Sequence, residues 1–224
     1  MLLFPLQSAT IVELDEQMVQ ESKKELRREL KLVMANLDPR WIAKAHTEVC
    51  HRVVELIRSL PSFNPQPRHV LAWIPCFQGE VDLAEAIGEL LKDSIVYLPR
   101  VERSGSMRFV RINEDWGAHL EQGPRGIMQP ADDYGEPFVA PPTSDIIVVM
   151  PGLAFDGLGQ RLGRGAGHYD RFLASVGLER AVKIGVCWSM QLVKEVPTDH
   201  YDVRMDWICY ERGVIRAESG VNEE

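Results

Sequence analysis

The chain is predicted to fold as a three-layer α/β domain, a Rossmann-like and mostly parallel sheet with helices on both faces and a helical N-terminus. Three observations predict it. Residues 69–98 read strand, helix, strand, the signature of a parallel pair. A continuous apolar run, Asp145 to Met150, enters a glycine-rich loop and then a helical segment. Helical patterns fill the stretch before the first strand. With 224 residues, 45% of them hydrophobic, the chain can bury a core of its own. The expected division is an acidic, loosely ordered extension over 1–20, one α/β domain over 21–217 and a polar tail over 218–224.

In chain order, a helical pattern begins near Gln17, with Leu26, Leu30, Val33 and Leu37 as its apolar stripe. Lys23, Lys24, Arg27, Arg28 and Lys31 share that helix with Glu21, Glu25 and Glu29, so a solvated face of i,i+4 pairs is one reading of the basic cluster. Asp38-Pro39 reads as an N-cap followed by proline at the first helical position, and Pro61 stops that helix near Leu60. His46 and His51 lie on it at a spacing that does not bring them together for a metal, and they read as structural or exposed. His69–Ile74 reads as a buried strand leaving into the turn Pro75–Glu80, Asp82 with Glu85 opens a helix to Leu91, and Ser94–Leu98 is the next strand. Met107–Ile112 is a further strand, and 113–144 reads as a long surface connection. After the glycine loop come a strand at Val182–Val186, a short helical piece near Gln191–Val196 and a last strand at Trp207–Tyr210.

The net charge of −8 argues against general nucleic-acid or membrane-surface binding. Cys50, Cys76, Cys187 and Cys209 form no C-x-x-C pair and read as reduced, mostly buried thiols of a cytoplasmic protein. Against this acidic average, Met150–Leu173 is locally basic. Gly157, Gly159, Gly163, Gly165 and Gly167 fall within eleven positions, with Arg161, Arg164, His168 and Arg171 among them. Glycines let backbone N–H groups approach an anion, and a helix N-terminus adds partial positive charge, so a phosphate chain suits the stretch. Neither G-x-x-x-x-G-K-[ST] nor G-x-G-x-x-G is present. In sheets of this kind ligands bind beyond the C-terminal ends of strands, an address shared by this loop and the Glu80 turn.

The stretch PGLAFDGLGQRLGRGAGHYDRFL resembles the signature of the 5-formyltetrahydrofolate cyclo-ligases. KKELRREL at 23–30, GEVD at 79–82, YLPRV at 97–101, MRFVRI at 107–112, IGVCWSMQLVKEVP at 184–197 and HYDVRMD at 200–206 follow in the family's order, so the resemblance spans roughly Lys23 to Glu211. It implies an enzyme that uses ATP and Mg²⁺ to turn 5-formyltetrahydrofolate into 5,10-methenyltetrahydrofolate, ADP and phosphate. Its implied partners are those two small molecules, with a monomer expected and a dimer left open. By the same resemblance, Arg161, Leu162, Gly163, Arg164, Gly165, Ala166, Gly167, His168 and Tyr169 form the ATP loop, joined by Lys23 and Arg27. Arg164, Arg161 and Lys23 carry the catalytic charge. Glu80 binds the folate, and Asp170 and Asp202 hold Mg²⁺.

Other readings stay open at this point. Asp170 can pair with Arg171 or cap its helix, and Glu80 can be a solvated turn residue. His168 stands where the family has tyrosine, and Ala166 where it has glycine or lysine. A sugar-phosphate enzyme on a related sheet and a non-catalytic nucleotide-binding module remain as alternative functions.

Overall fold

The computed structural model describes residues 11–62, 66–142, 145–175, 178 and 180–218. The expectations for residues 1–10 and 219–224 lie outside these. Helix α1 (Ile11–Ala35) starts earlier than Gln17 and takes in half of the stretch read as an extension. The turn 15–18 was illegible because Asp15, Glu16, Gln17 and Met18 are all exposed, and a turn that buries nothing leaves no periodicity. Further along, the buried face runs through Lys23, Leu26, Leu30 and Met34. Val33, read into the apolar stripe, is 39% exposed instead, since Met34 lies one full turn beyond Leu30. Helix α2 (Pro39–Ser59) begins as its cap predicts, with the Asp38 carboxylate accepting the Arg40 amide at 2.9 Å, and it buries Ala45, Val49, Val53 and Ile57 on one face.

Strand β1 (Arg68–Leu71), helix α3 (Ala84–Leu90) and strand β2 (Ser94–Val101) make the expected β-α-β unit, with β1 and β2 parallel. Strand β3 (Met107–Arg111) returns antiparallel to β2. The connection expected to be irregular over 113–144 contains a two-stranded ribbon, β4 (Leu120–Gln122) with β5 (Met128–Pro130). Its strands are too short to show alternation, and Gln129 is buried because its Oε1 accepts the Val101 amide at 3.0 Å. Strand β6 (Ile146–Pro151) leads into a small hairpin, β7 (Ala154–Phe155) with β8 (Arg161–Leu162), then helix α4 (His168–Ser175) and strand β9 (Val182–Val186). Over Gln191–Val196 the expected helical piece is only a 3₁₀ turn at Ser189–Gln191. Strand β10 (Trp207–Tyr210) is followed by an edge strand that the polar sequence concealed, β11 (Gly213–Arg216).

The main sheet has the order β11-β10-β9-β6-β1-β2-β3, parallel from β10 to β2 and antiparallel at both edges. Side-chain alternation divides the core. Val70, Ile147 and Val149 face α2 and α3, whereas Leu71, Val148 and Met150 face α4 through Phe172 and Leu173. The two helices lie on opposite faces for a reason of handedness. From β1 the chain crosses to β2 on one side, and from β6 it crosses to β9 on the other. Crossovers of one hand running in opposite directions place their helices on opposite faces. The strand order therefore reverses between β1 and β6, and a crevice opens there beyond their C-terminal ends. Among the described residues, no helix is long and apolar enough to cross a membrane.

Candidate active site

A cleft of about 540 Å³ occupies that reversal point. One wall is the chain leaving β1, with Trp73, Ile74, Cys76, Phe77 and Glu80. The opposite wall is the chain leaving β6, with Pro151, Gly152, Arg161 and 163–170. The end of β2, Met107 of β3 and the β4–β5 ribbon supply an apolar floor of Pro99, Val101, Met107, Ile127 and Met128. The glycine loop and the Glu80 turn, far apart in sequence, thus face each other. The ribbon residues, Trp73 and Lys31 escaped the sequence reading. No motif marks the ribbon, and Lys31 looked like one more solvated helix charge.

Buried supports set each wall. Asp156 is 2% exposed, and its carboxylate accepts the amides of Leu158, Gln160 and Val196 at 3.0, 3.0 and 2.9 Å, closing the turn between β7 and β8. Gln191 donates Nε2 to the Gly152 carbonyl at 2.7 Å, and Trp188 donates its indole N–H to the Gly79 carbonyl at 2.7 Å. Gly79 has φ +79°, and a Cβ there would stand 2.4 Å from the Met34 carbonyl oxygen, so this turn requires glycine. Gly165 and Gly167 also have positive φ, 101° and 62°.

The charged residues meet in pairs. Arg164 Nε donates to Glu80 Oε1 at 2.7 Å, with its guanidinium 3.9 Å over the Phe77 ring. Glu80 is not a solvated turn residue. Its side chain is 7% exposed, and Oε2 accepts the amides of Cys76 and Phe77 at 2.8 and 3.2 Å. Arg161, also buried, donates Nη2 to Asp170 Oδ1 at 2.8 Å and Nη1 to the Pro151 carbonyl at 3.2 Å, while its Nε is buried without a hydrogen-bond partner among the described residues. Asp170 thus meets Arg161, not the neighbouring Arg171 that the sequence offered. Lys23 is 3% exposed and pairs with Asp199 at 2.8 Å and with Asp202. Asp202 also accepts the Asp199 amide at 2.8 Å. Arg27 Nε donates to the Gly163 carbonyl at 2.9 Å, tying α1 to the glycine loop. The solvated-face reading therefore fails for Lys23 and Arg27, though it holds for Lys24 and Arg28, which are exposed.

Of the sequence-predicted residues, Glu80, Arg161, Gly163, Arg164, Gly165, Ala166, Gly167, His168, Tyr169 and Asp170 all line the cleft. Leu162 is buried against Leu30 and Ala154, behind the loop. Lys23, Arg27 and Asp202 stand outside the lining; Arg27 reaches the loop from α1, and Lys23 pairs with Asp202 of the chain before β10. Burial lowers the Arg27 pKa, and Asp202 and Asp199 oppose that shift. Burial pushes the Cys76 thiol up to about 12, with Glu80 adding to the shift and Arg164 opposing it. Burial drives the Tyr169 phenol far above its ordinary range, so both groups are neutral near neutral pH. All four cysteines are free, and Cys50, Cys187 and Cys209 are buried.

The comparisons with known proteins point one way. A sequence model described as the 5-formyltetrahydrofolate cyclo-ligase family matches residues 19–211. The 5-formyltetrahydrofolate cyclo-ligase of Saccharomyces cerevisiae is 30% identical over 217 residues, covering 87% of this chain and 97% of its own. The solved structure of Aquifex aeolicus 5,10-methenyltetrahydrofolate synthetase superposes with a TM-score of 0.68 at 33% identity, over 90% of this chain and 96% of its own. That of a 5,10-methenyltetrahydrofolate synthetase from Mycoplasma pneumoniae, at 21% identity and a TM-score of 0.63, covers 88% and 99% and shares the fold.

Proposed function

The chain belongs to the 5-formyltetrahydrofolate cyclo-ligase family, and from that premise we propose that it converts 5-formyltetrahydrofolate to 5,10-methenyltetrahydrofolate with ATP and Mg²⁺, releasing ADP and phosphate. A formamide oxygen is a poor leaving group. Transfer of the γ-phosphoryl group to that oxygen makes it a good one. The folate N10 then attacks the activated carbon, and phosphate leaves as the ring closes. No protein nucleophile is required, so the protein's work is positioning and charge stabilisation.

The observation that carries this reading is the Arg164–Glu80 bond at 2.7 Å. It joins the loop suited to phosphate with the turn suited to the pterin across one cleft. A phosphoryl donor on one wall and a formyl acceptor on the other are then within reach of each other. The apolar floor under them suits an aromatic ligand body.

The pairing pattern adds a mechanism of entry. Arg164, Arg161 and Lys23, the cations assigned to phosphate, each hold a carboxylate assigned to pterin or metal: Glu80, Asp170 and Asp202. In productive binding these pairs exchange partners. The cations turn to phosphate oxygens, Glu80 accepts pterin N–H groups, and Asp170 and Asp202 are released together with them. Each charge leaves one partner for another, so no buried charge is stranded. Asp170 suits Mg²⁺, because it is a hard oxygen donor on the cleft wall beside the phosphate loop. Asp202 becomes a second donor only once Lys23 has left it. When bound, Mg²⁺ neutralises charge on the phosphate chain. His168 and Ala166 leave Arg164 as the main side-chain charge of the central loop.

The test is direct. Purified protein with Mg²⁺-ATP and 5-formyltetrahydrofolate is followed by the near-ultraviolet absorbance of the methenyl product and by ADP release. ADP formation that depends on the folate is the expected result. Folded protein giving neither product nor ADP overturns the reading, and turnover of a sugar phosphate without ATP would move it to the isomerase alternative.

A further inference from the structure

Outside the cleft, α2 meets α3 at a cluster that the cyclo-ligase chemistry does not use. His46 and Cys50 are one helical turn apart on α2 and share a face. Glu85 comes from the first turn of α3. His46 Nε2 is 3.7 Å from Glu85 Oε2, and Cys50 Sγ is 4.0 Å from both ring nitrogens. One donor atom from each residue lies within 4.8 Å of the other two. Among the described residues, no other group of three or more His, Cys, Asp or Glu side chains brings its donors so close.

We propose that His46, Cys50 and Glu85 bind one zinc-class divalent cation that clamps α2 to the start of α3. The separations carry the proposal. A tetrahedral shell with metal–ligand distances of about 2.0–2.3 Å has edges of about 3.3–3.7 Å. The two edges at His46, 3.7 and 4.0 Å, need only a few tenths of an ångström of closure, and the third, between Cys50 and Glu85, lies within 4.8 Å and closes by rotation of the partly exposed Glu85 side chain. The donor set selects the metal class. One sulfur, one imidazole nitrogen and one carboxylate oxygen suit zinc or cobalt(II) and disfavour Mg²⁺ and Ca²⁺, which take oxygen. Burial sets the coordination number. Cys50 is 1% exposed and forms the closed back of the site, whereas the His46 and Glu85 side chains are 26% and 53% exposed. Three protein ligands with a water at the open fourth position result.

Binding breaks the Cys50 S–H bond, the proton passes to solvent, and the thiolate lone pair bonds the cation. The thiol also gives up its donation to the Asp82 carbonyl at 3.3 Å. That carbonyl belongs to the segment between the Glu80 turn and α3, so the clamp fixes the helix that follows the turn. His46 is thus matched with Cys50, one turn away, and not with His51.

Cobalt(II) is the probe, titrated into full-length protein cleared of metal with a chelator and kept reduced by a phosphine. The expected result is a sulfur-to-cobalt charge-transfer band that saturates at one equivalent, is bleached by Zn²⁺, and is accompanied by release of a proton. Cys50→Ser should abolish the band. His46→Asn and Glu85→Gln change partly exposed side chains and leave the core intact. Loss of an outer-shell partner already costs about 10–100-fold in affinity, so each should weaken cobalt binding at least tenfold. Circular dichroism checks the fold of all three. No band in the wild-type protein overturns the proposal. So does a full band in Cys50→Ser, which would assign it to another thiol. Unchanged affinity in both His46→Asn and Glu85→Gln overturns it even if Cys50→Ser fails to fold.

Discussion

If Glu80 holds Arg164 away from phosphate, replacing Glu80 by glutamine should tighten nucleotide binding while weakening folate binding. The magnitude follows from one bond. Arg164 Nε meets Glu80 Oε1 at 2.7 Å. A hydrogen bond to a charged group contributes about 1.5–3 kcal/mol. Glutamine keeps one acceptor oxygen, which stays on the Cys76 and Phe77 amides, and its NH₂ group then faces Arg164, so the hydrogen bond to Arg164 is lost together with the charge. Arg164 is then released by about 1.5–3 kcal/mol, or about ten- to a hundredfold in an equilibrium constant. The arginine side chain is 23% exposed, which places the effect toward the lower end. Calorimetry of a non-hydrolysable ATP analogue with Mg²⁺, on Glu80→Gln and wild-type protein, reads this directly, and a second titration with 5-formyltetrahydrofolate should show weaker binding. An unchanged or weakened nucleotide affinity in folded Glu80→Gln would refute the partner exchange. A pair that merely stabilises the fold has no means of opposing ATP.

Other substitutions bear on the same site. Arg164→Ala should lower kcat by about 10²–10³-fold in the methenyltetrahydrofolate absorbance assay, the usual cost of one lost donor to a charged transition state; an unaltered kcat would assign Arg164 to structure. Lys23→Met leaves Asp199 and Asp202 facing each other and should destabilise the protein by about 3 kcal/mol in urea unfolding. Adding Asp202→Asn should recover part of that stability without restoring ATP use. Cys76 lines the cleft, yet its thiol pKa of about 12 lies above the ordinary thiol range, so it stays protonated and unreactive near neutral pH. Alkylation followed by mass spectrometry should be slow at pH 7–8, accelerate only as the pH approaches 12, and be faster at a given pH in Glu80→Gln, where the nearby negative charge is gone.

The sequence exposes those parts of this protein whose information is local. The Asp38-Pro39 cap, the β1-α3-β2 unit and the β6 run were readable because caps and periodicity are written within one element. The Asp15–Met18 turn of α1 and strand β11 were not, since the former is exposed throughout and the latter packs an edge with mixed exposure. The β4–β5 ribbon was lost for a different reason. Strands of three residues cannot show alternation, and Gln129 looks like a surface residue until its bond to the Val101 amide is seen.

The charged site divides along the same line, and the division bears on how it works. The glycine loop reads as an anion site within a few residues of sequence. What each charge is paired with was hidden, because Glu80 and Arg164 are separated by 84 residues and Lys23 and Asp202 by 179. Even Arg161 and Asp170, only nine apart, join across the glycine loop that leads from β8 into α4, and Arg171 stands beside Asp170 as a nearer candidate. A motif can therefore name phosphate-binding cations without revealing that they are already neutralised. Neutralisation is what burial demands, since the Lys23, Arg161 and Glu80 side chains are each at most 7% exposed and an unpaired charge at such depth is costly. On the proposed function it also selects the ligand. Phosphate alone would release a carboxylate with no new partner, and a pterin alone would strand an arginine. Phosphate, metal and pterin arriving together would re-pair Arg164, Arg161, Lys23, Glu80, Asp170 and Asp202, leaving only the partly exposed Asp199 to Gln20 and solvent, so the electrostatics of the resting site would favour the full set of substrates over any one of them.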